Sequence, residues 1–206
     1  MVFVRSVVPQ VPLEKQVIQS NPILEAFGNA RTVRNDNSSR FGKFIEIQFD
    51  KHAKLAGAQV RTFLLEKVRL VRQSEGERNY HIFYMLEAGT SEDDRDEWRL
   101  KGIEEALYTS QSGCYDRRDN VDDAEEYEAL TEAMDTMRFM PQDSSGCLSA
   151  AAGVLSLGEL EFDGFDDGAT TGGAAKLRVD GAALCEAAAH LLGVEDEALV
   201  NAVTTR

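Results

Sequence analysis

No run of eighteen apolar residues occurs in the 206-residue chain, so no membrane-spanning helix is encoded. No secretory leader is expected either. The opening MVFVRSVVPQVP has only a short apolar stretch, Pro9 and Pro12 break it, and no small-residue cleavage site follows. Without a leader, the match of Asn37-Ser38-Ser39 to a glycosylation acceptor is accidental. Cysteine is scarce: Cys114, Cys147 and Cys185 lie too far apart for a C-x-x-C pair, and their odd number argues against a disulfide framework. A reducing, cytoplasmic location is expected. Positive charge is also in deficit, and a net charge of −14 argues against nucleic acid or an anionic membrane as the partner of the whole chain.

What charge there is falls unevenly. Residues 1–73 carry a net +6, from 12 basic and 6 acidic side chains, whereas residues 74–206 carry −20. A site for an anion such as phosphate is therefore expected in the first third. With 43% hydrophobic residues the chain can fill the core of one domain, or most of one.

The spacing of apolar and turn-forming residues predicts a mixed α+β order. Residues 12–28 read as two short helical pieces, the second capped by Asn21, opened by Pro22 and ended by Gly28. Ile45, Ile47 and Phe49 then alternate with Glu46 and Gln48 as a strand with one buried face. A second β-rich run, GAQVRTFLLEKVRLV, begins at Gly57, close enough for an antiparallel hairpin. Ile45, Ile47, Phe49, Val60, Phe83 and Leu86 are the expected core. Next comes a helix with Tyr80, Phe83 and Tyr84 on one face, ending at Gly89, and a charged tract, TSEDDRDEWRLKG, expected to be solvated. Helices are predicted for DAEEYEALTEAMDTMRF, capped from Asp122 or Asp123 and stopped before Pro141, and for CLSAAAGVLSL. Two short strands around a Gly- and Asp-rich loop, a helix from Asp180 to Gly193 and one short helix complete the chain. No internal repeat is visible.

Between the first helix and the first long strand lies NDNSSRFGK, residues 35–43. Such a polar string is by itself an exposed turn. Here two serines and Arg40 stand directly before a strand, so a loop held at that strand end can present hydroxyls, an amide and a guanidinium to one small volume. Those are groups that phosphate oxygens and Mg²⁺ require. Other candidates are weaker. Asp163–Gly168 lacks EF-hand spacing, Glu186 and His190 make two metal ligands without a third, and neither His52 nor His81 has a catalytic partner in the sequence.

The stretch LEKQVIQSNPILEAFGNARTVRNDNSSRFGKFIEIQFD resembles the part of the myosin motor head that carries switch I. FLLEKVRLVRQSEGERNYHIFYMLEAG is similar to the segment that follows, and the likeness runs from about residue 13 to 206, leaving 1–12 unmatched. Kinesins share N-x-x-S-S-R, but Phe41-Gly42-Lys43 and NPILEAFGNA favour myosin. The resemblance implies a fragment of a P-loop NTPase motor domain: an antiparallel hairpin of the central sheet followed by a mainly helical subdomain. It implies that Asn35 contacts the nucleotide phosphates, that Ser38 lies at the γ-phosphate beside the attacking water, and that Ser39 gives its hydroxyl to Mg²⁺. Arg40 would pair with a glutamate of a second switch. ATP with Mg²⁺ as cofactor, actin filaments as partner and the actin cytoskeleton as location follow from the same resemblance, as part of a myosin complex.

The departures from the family pattern also matter. No G-x-x-x-x-G-K-[ST] occurs, and the single Gly-Lys pair is Gly42-Lys43 followed by Phe44. Asp143-Ser144-Ser145-Gly146 fits a bare D-x-x-G but follows Pro141 rather than a strand. The phosphate cradle and second switch are expected outside these residues, Arg40 is expected to lack its partner, and the fragment alone is expected to be inactive. The alternatives are a non-catalytic binding or scaffold module and a kinesin-type fragment.

Overall fold

Residues 2–4, 12–163, 175–178 and 181–205 are described by the computed structural model. Strand β1 (Val2–Val4) comes first, then helix α1 (Leu13–Gly28). This is one continuous helix and not the two pieces expected. Pro22 has no N–H to give the carbonyl one turn earlier, yet the helix runs through it because its sides pack against later helices and against the sheet. Asn21 accordingly caps nothing; its Oδ1 accepts a bond from Lys43 Nζ at 2.7 Å. Gly28 does end the helix, and the position admits no side chain: a Cβ there would lie 2.4 Å from the Phe41 ring.

Two short strands, β2 (Asn29–Ala30) and β3 (Ser38–Ser39), pair antiparallel with Asn29 opposite Ser39 and Ala30 opposite Ser38. They close the polar loop between them. Strands β4 (Gly42–Phe49) and β5 (Leu55–Phe63) form the expected hairpin, from Gly42 opposite Phe63 to Phe49 opposite Leu55, and β1 pairs on the far side of β5. Among the described residues the order β1-β5-β4 leaves β4 at the edge. Its anticipated burial fails there: Ile47 and Phe49 are 47% and 63% exposed and Ile45 is half-buried, while Val60 on the central strand is buried. The run expected to continue as strand stops at Phe63. Leu64 takes φ 55, which breaks the extended ladder, and Val68–Val71 forms the single-turn helix α2.

Helix α3 (His81–Gly89) is the hub of the helical subdomain. Phe83 and Leu86 are buried as expected, but so is everything from His81 to Leu86, because α1 and two later helices surround it. The charged tract becomes the solvated helix α4 (Glu92–Glu97), capped by Ser91, whose Oγ accepts from the Asp94 amide. Trp98, directly behind it, is buried. After α5 (Leu107–Ser110), Asp122 caps α6 (Asp123–Thr136) by accepting from the amides of Ala124 and Glu125. Helix α6 stops at Thr136, short of Pro141, with Arg138 at φ 61 just beyond it, so Pro141 has a different role. It opens α7 (Pro141–Gly158), in which Asp143–Gly146 is ordinary helix and no switch.

Strands β6 (Phe162–Asp163) and β7 (Lys176–Leu177) pair antiparallel, and the Gly- and Asp-rich loop at 164–174 lies outside the described residues, as does Asp180. Helix α8 (Gly181–Leu192) ends at Gly193 with φ 65, and α9 (Asp196–Thr204) is the last element. The core joins Tyr84, Leu86, Leu130, Met134, Leu148 and Ala152 across α3, α6 and α7. A hairpin sheet leading into a mainly helical subdomain is thus the architecture. Among the described residues, no helix is long and apolar enough to cross a membrane.

Candidate nucleotide-binding loop

Residues 31–40 form an arch from β2 to β3, and each limb is tied down by different chemistry. At the first turn the Thr32 amide donates to the Asn35 carbonyl at 2.8 Å, and the Thr32 hydroxyl both donates to that carbonyl and accepts from the Asn35 amide. The Asn35 side-chain oxygen then accepts from the Asn37 amide at 3.0 Å, an Asx turn. Asn37 anchors the middle. Its Nδ2 donates to Glu25 of α1 at 2.9 Å, while its Oδ1 accepts from Asn29 at 2.8 Å and faces His81 Nε2 at 3.2 Å.

His81 is neutral in this setting. Burial, reinforced by the charges of Arg117 and Arg78, pushes its pKa down to about 3. Since the amide oxygen of Asn37 can only accept, the neutral ring carries its proton on Nε2.

The two serine side chains point to opposite faces of β3. Successive side chains of a strand point to opposite faces, so β3 places Ser38 on the side of Arg40 and Ser39 on the other. Ser38 Oγ accepts from Arg40 Nη1 at 3.0 Å. Ser39 is exposed, and its hydroxyl has no hydrogen-bond partner among the described residues.

Arg40 is paired here with a carboxylate other than the second-switch glutamate that the resemblance implies. Its Nε and Nη2 grip Glu66 at 2.8 and 3.0 Å, and the Glu66 amide donates to the Arg40 carbonyl at 3.0 Å. Arg69 approaches the same carboxylate at 2.7 Å and reaches Glu77 at 3.0 Å, and Glu77 in turn accepts from the Val33 amide. One chain of ion pairs thus joins both limbs of the arch. The hydrogen bond from Arg40, with that from Arg69, holds the Glu66 carboxyl below its usual range against the opposing effect of burial, and Glu66 raises the Arg40 pKa in return.

Beside the arch, an apolar groove of about 410 Å³ is lined by Ile23, Phe27, Phe41, Phe63 and Leu65 among others. Its lining offers no charged side chain, so it is no phosphate cradle. The other sequence candidates gather nothing further. His52 sits in the hairpin turn, where its amide donates to Asp50, and no group of three His, Cys, Asp or Glu that could hold a metal occurs among the described residues. The three cysteines are free, with burial raising each thiol pKa.

A sequence-family model, "Myosin head (motor domain)", matches residues 4–206. The chain belongs to the myosin head family. It is 48% identical over 155 residues to "Myosin-3" and to "Myosin-1" of Arabidopsis thaliana, covering 75% of this chain and 13% of each of those proteins. It is 47% identical over 158 residues to "Myosin-5" of the same plant, covering 77% of this chain and 10% of that protein. The chain therefore spans about a tenth of the length of the relatives it matches. Membership in the myosin head family sets aside the kinesin-type alternative.

The residues present fit the nucleotide and metal that myosin heads imply. Ser39 offers a hard hydroxyl oxygen at the surface, with no competing partner among the described residues, and Asn35 is exposed in the same arch. Sequence reasoning missed Glu66 and His81, which hold the loop from 26 and 44 residues away, Arg118, which bonds Asp36 from 82 residues away, and the anchoring role of Asn37 within the loop, tied to Asn29 and Glu25. The single available signal was Glu66, one of few carboxylates in the basic first third.

Proposed function

We propose that this chain is the switch I portion of an actin-based motor that hydrolyses MgATP in the cytoplasm, on the actin cytoskeleton. Ser39 supplies its hydroxyl to Mg²⁺, and Asn35 supplies amide N–H to phosphate oxygens. Mg²⁺, when bound, neutralises charge on the phosphate oxygens as the γ-phosphoryl is transferred. Ser38 lies at that phosphoryl. Because Ser38 Oγ accepts from Arg40, its own proton is directed elsewhere and is free to donate to a phosphate oxygen or to orient the attacking water.

Supporting this reading above all is the Ser38–Arg40–Glu66 relay, which fixes the Ser38 hydroxyl from the protein side. The fork to Glu66 uses Nε and Nη2, so Arg40 keeps N–H bonds for the second-switch glutamate that the family supplies. Phosphoryl transfer asks mainly for positioned donors and charge, and this loop has both. The 206 residues hold no G-x-x-x-x-G-K-[ST] cradle, so a chain of these residues alone turns over no ATP. The test is a complete head that contains this sequence, with Ser39→Ala. Loss of actin-activated turnover by about a hundredfold or more supports the reading, and unchanged turnover refutes it.

A further inference from the structure

The arch receives a second grip that no part of the motif foreshadows. Arg118 lies in the segment between α5 and α6, and it meets the first limb of the arch with four groups. Its amide and Nε both donate to Asp36, at 3.0 and 3.1 Å. Its Nη1 donates to the Val33 carbonyl and its Nη2 to the Thr32 carbonyl, each at 2.9 Å. Two residues earlier, Asp116 accepts from Arg31 through both its carbonyl and its carboxylate, at 2.7 and 2.8 Å. Arg31 and Asp36 face each other at 3.5 Å, so the four side chains close a ring that begins and ends on residues 116–118.

We propose that Arg118 is a positioning residue for the nucleotide-binding loop, and that residues 116–118 couple the helical subdomain to that loop. The inference rests on the reading of residues 35–40 given above. Its geometry has a direct consequence. The carbonyls of Thr32 and Val33 and the carboxylate of Asp36 bracket Asn35, so the guanidinium sets the turn that carries the Asn35 amide. A planar guanidinium can satisfy one carboxylate and two carbonyls together, whereas a lysine ammonium at the same site can replace only part of that pattern. Through these bonds the position of residues 116–118 is coupled to Asn35. Ser38 and Ser39 are held separately, by Asn37 and by the Arg40–Glu66 fork. The clamp therefore acts on phosphate contact more than on the metal hydroxyl.

The test compares wild type with Arg118→Ala and Arg118→Lys. Hydrogen exchange on a complete head that contains this sequence reads the clamp directly: in Arg118→Ala the amides of residues 33–37 exchange about tenfold faster, with α3 and α6 unchanged, and Arg118→Lys falls between. No change at the loop overturns the proposal, and so does an equal loss of protection over α3 and α6, which would mark a merely structural residue. In a complete head, Arg118→Ala raises KM for MgATP with a smaller effect on kcat, and Arg118→Lys restores part of it. An unchanged KM alongside a dead Ser39→Ala head overturns the positioning role alone. If the Ser39→Ala head also turns over normally, the reading of the loop itself has failed.

Discussion

Arg40 and Glu66 meet fork to fork, Nε 2.8 Å from Oε2 and Nη2 3.0 Å from Oε1, with a backbone hydrogen bond between the same two residues. The pair ties the last residue of the arch to the end of the hairpin. Because the folded pKa of Glu66 is lowered, its stabilising contribution is fully present above the unfolded carboxyl value and is lost as pH falls through the folded one. In Glu66→Gln, that part of the acid dependence is absent. Carboxyl titration by NMR checks this; a Glu66 that titrates at or above the ordinary glutamate value contradicts it.

His81 also makes stability depend on acid, through a different group. Its folded pKa is depressed to about 3, so between there and the unfolded value near 6.5 the unfolded chain binds more protons. Stability is thus lost as pH falls through that window, by up to about 1.4 kcal/mol per unit from this residue. Urea unfolding of His81→Gln across pH 4 to 7 is expected to show a shallower slope, and an unchanged slope contradicts the buried neutral state.

Arg78 is wholly buried, grips Asp123 at 2.8 and 2.9 Å, and lies 3.7 Å from the centre of the Tyr84 ring. Removing the carboxylate leaves a desolvated cation without its counter-ion. Asp123→Ala is expected to cost about 3–5 kcal/mol in denaturant unfolding. A cost below about 1 kcal/mol would mean that water or another group satisfies the guanidinium.

Phe83 sits in the core on α3 at 5% exposure. Phe83→Ala is expected to cost about 3–5 kcal/mol. A loss under half of that would place the ring outside the core.

Much of this organisation is legible in the order of residues alone. Local signals suffice where the deciding contacts are local: Asp122 capping α6, Gly193 ending α8, and the period-two run that forms β4. They fail where distant contacts decide. Pro22 and Asn21 read as a helix start, but packing along α1 outweighs the cost of one proline. The alternation of Ile45, Ile47 and Phe49 marks the strand correctly and its burial wrongly, because periodicity cannot tell an edge strand from a central one. In the loop, Asn35, Ser38, Ser39 and Arg40 are visible as a motif. The carboxylates and guanidinium that fix them are not, because Glu66 and Arg118 come near only once the chain has folded.

The most direct measurement is a metal-preference test at Ser39 in a complete head that contains this sequence. With Ser39→Cys, the hard hydroxyl is replaced by a soft sulfur that binds Mg²⁺ poorly and Mn²⁺ or Cd²⁺ better. Turnover with Mg²⁺ is expected to collapse and to recover in part with the softer ions, while the wild-type head keeps its preference for Mg²⁺. Equal turnover of both heads with Mg²⁺, or a loss that no softer ion restores, would show that Ser39 is no metal ligand.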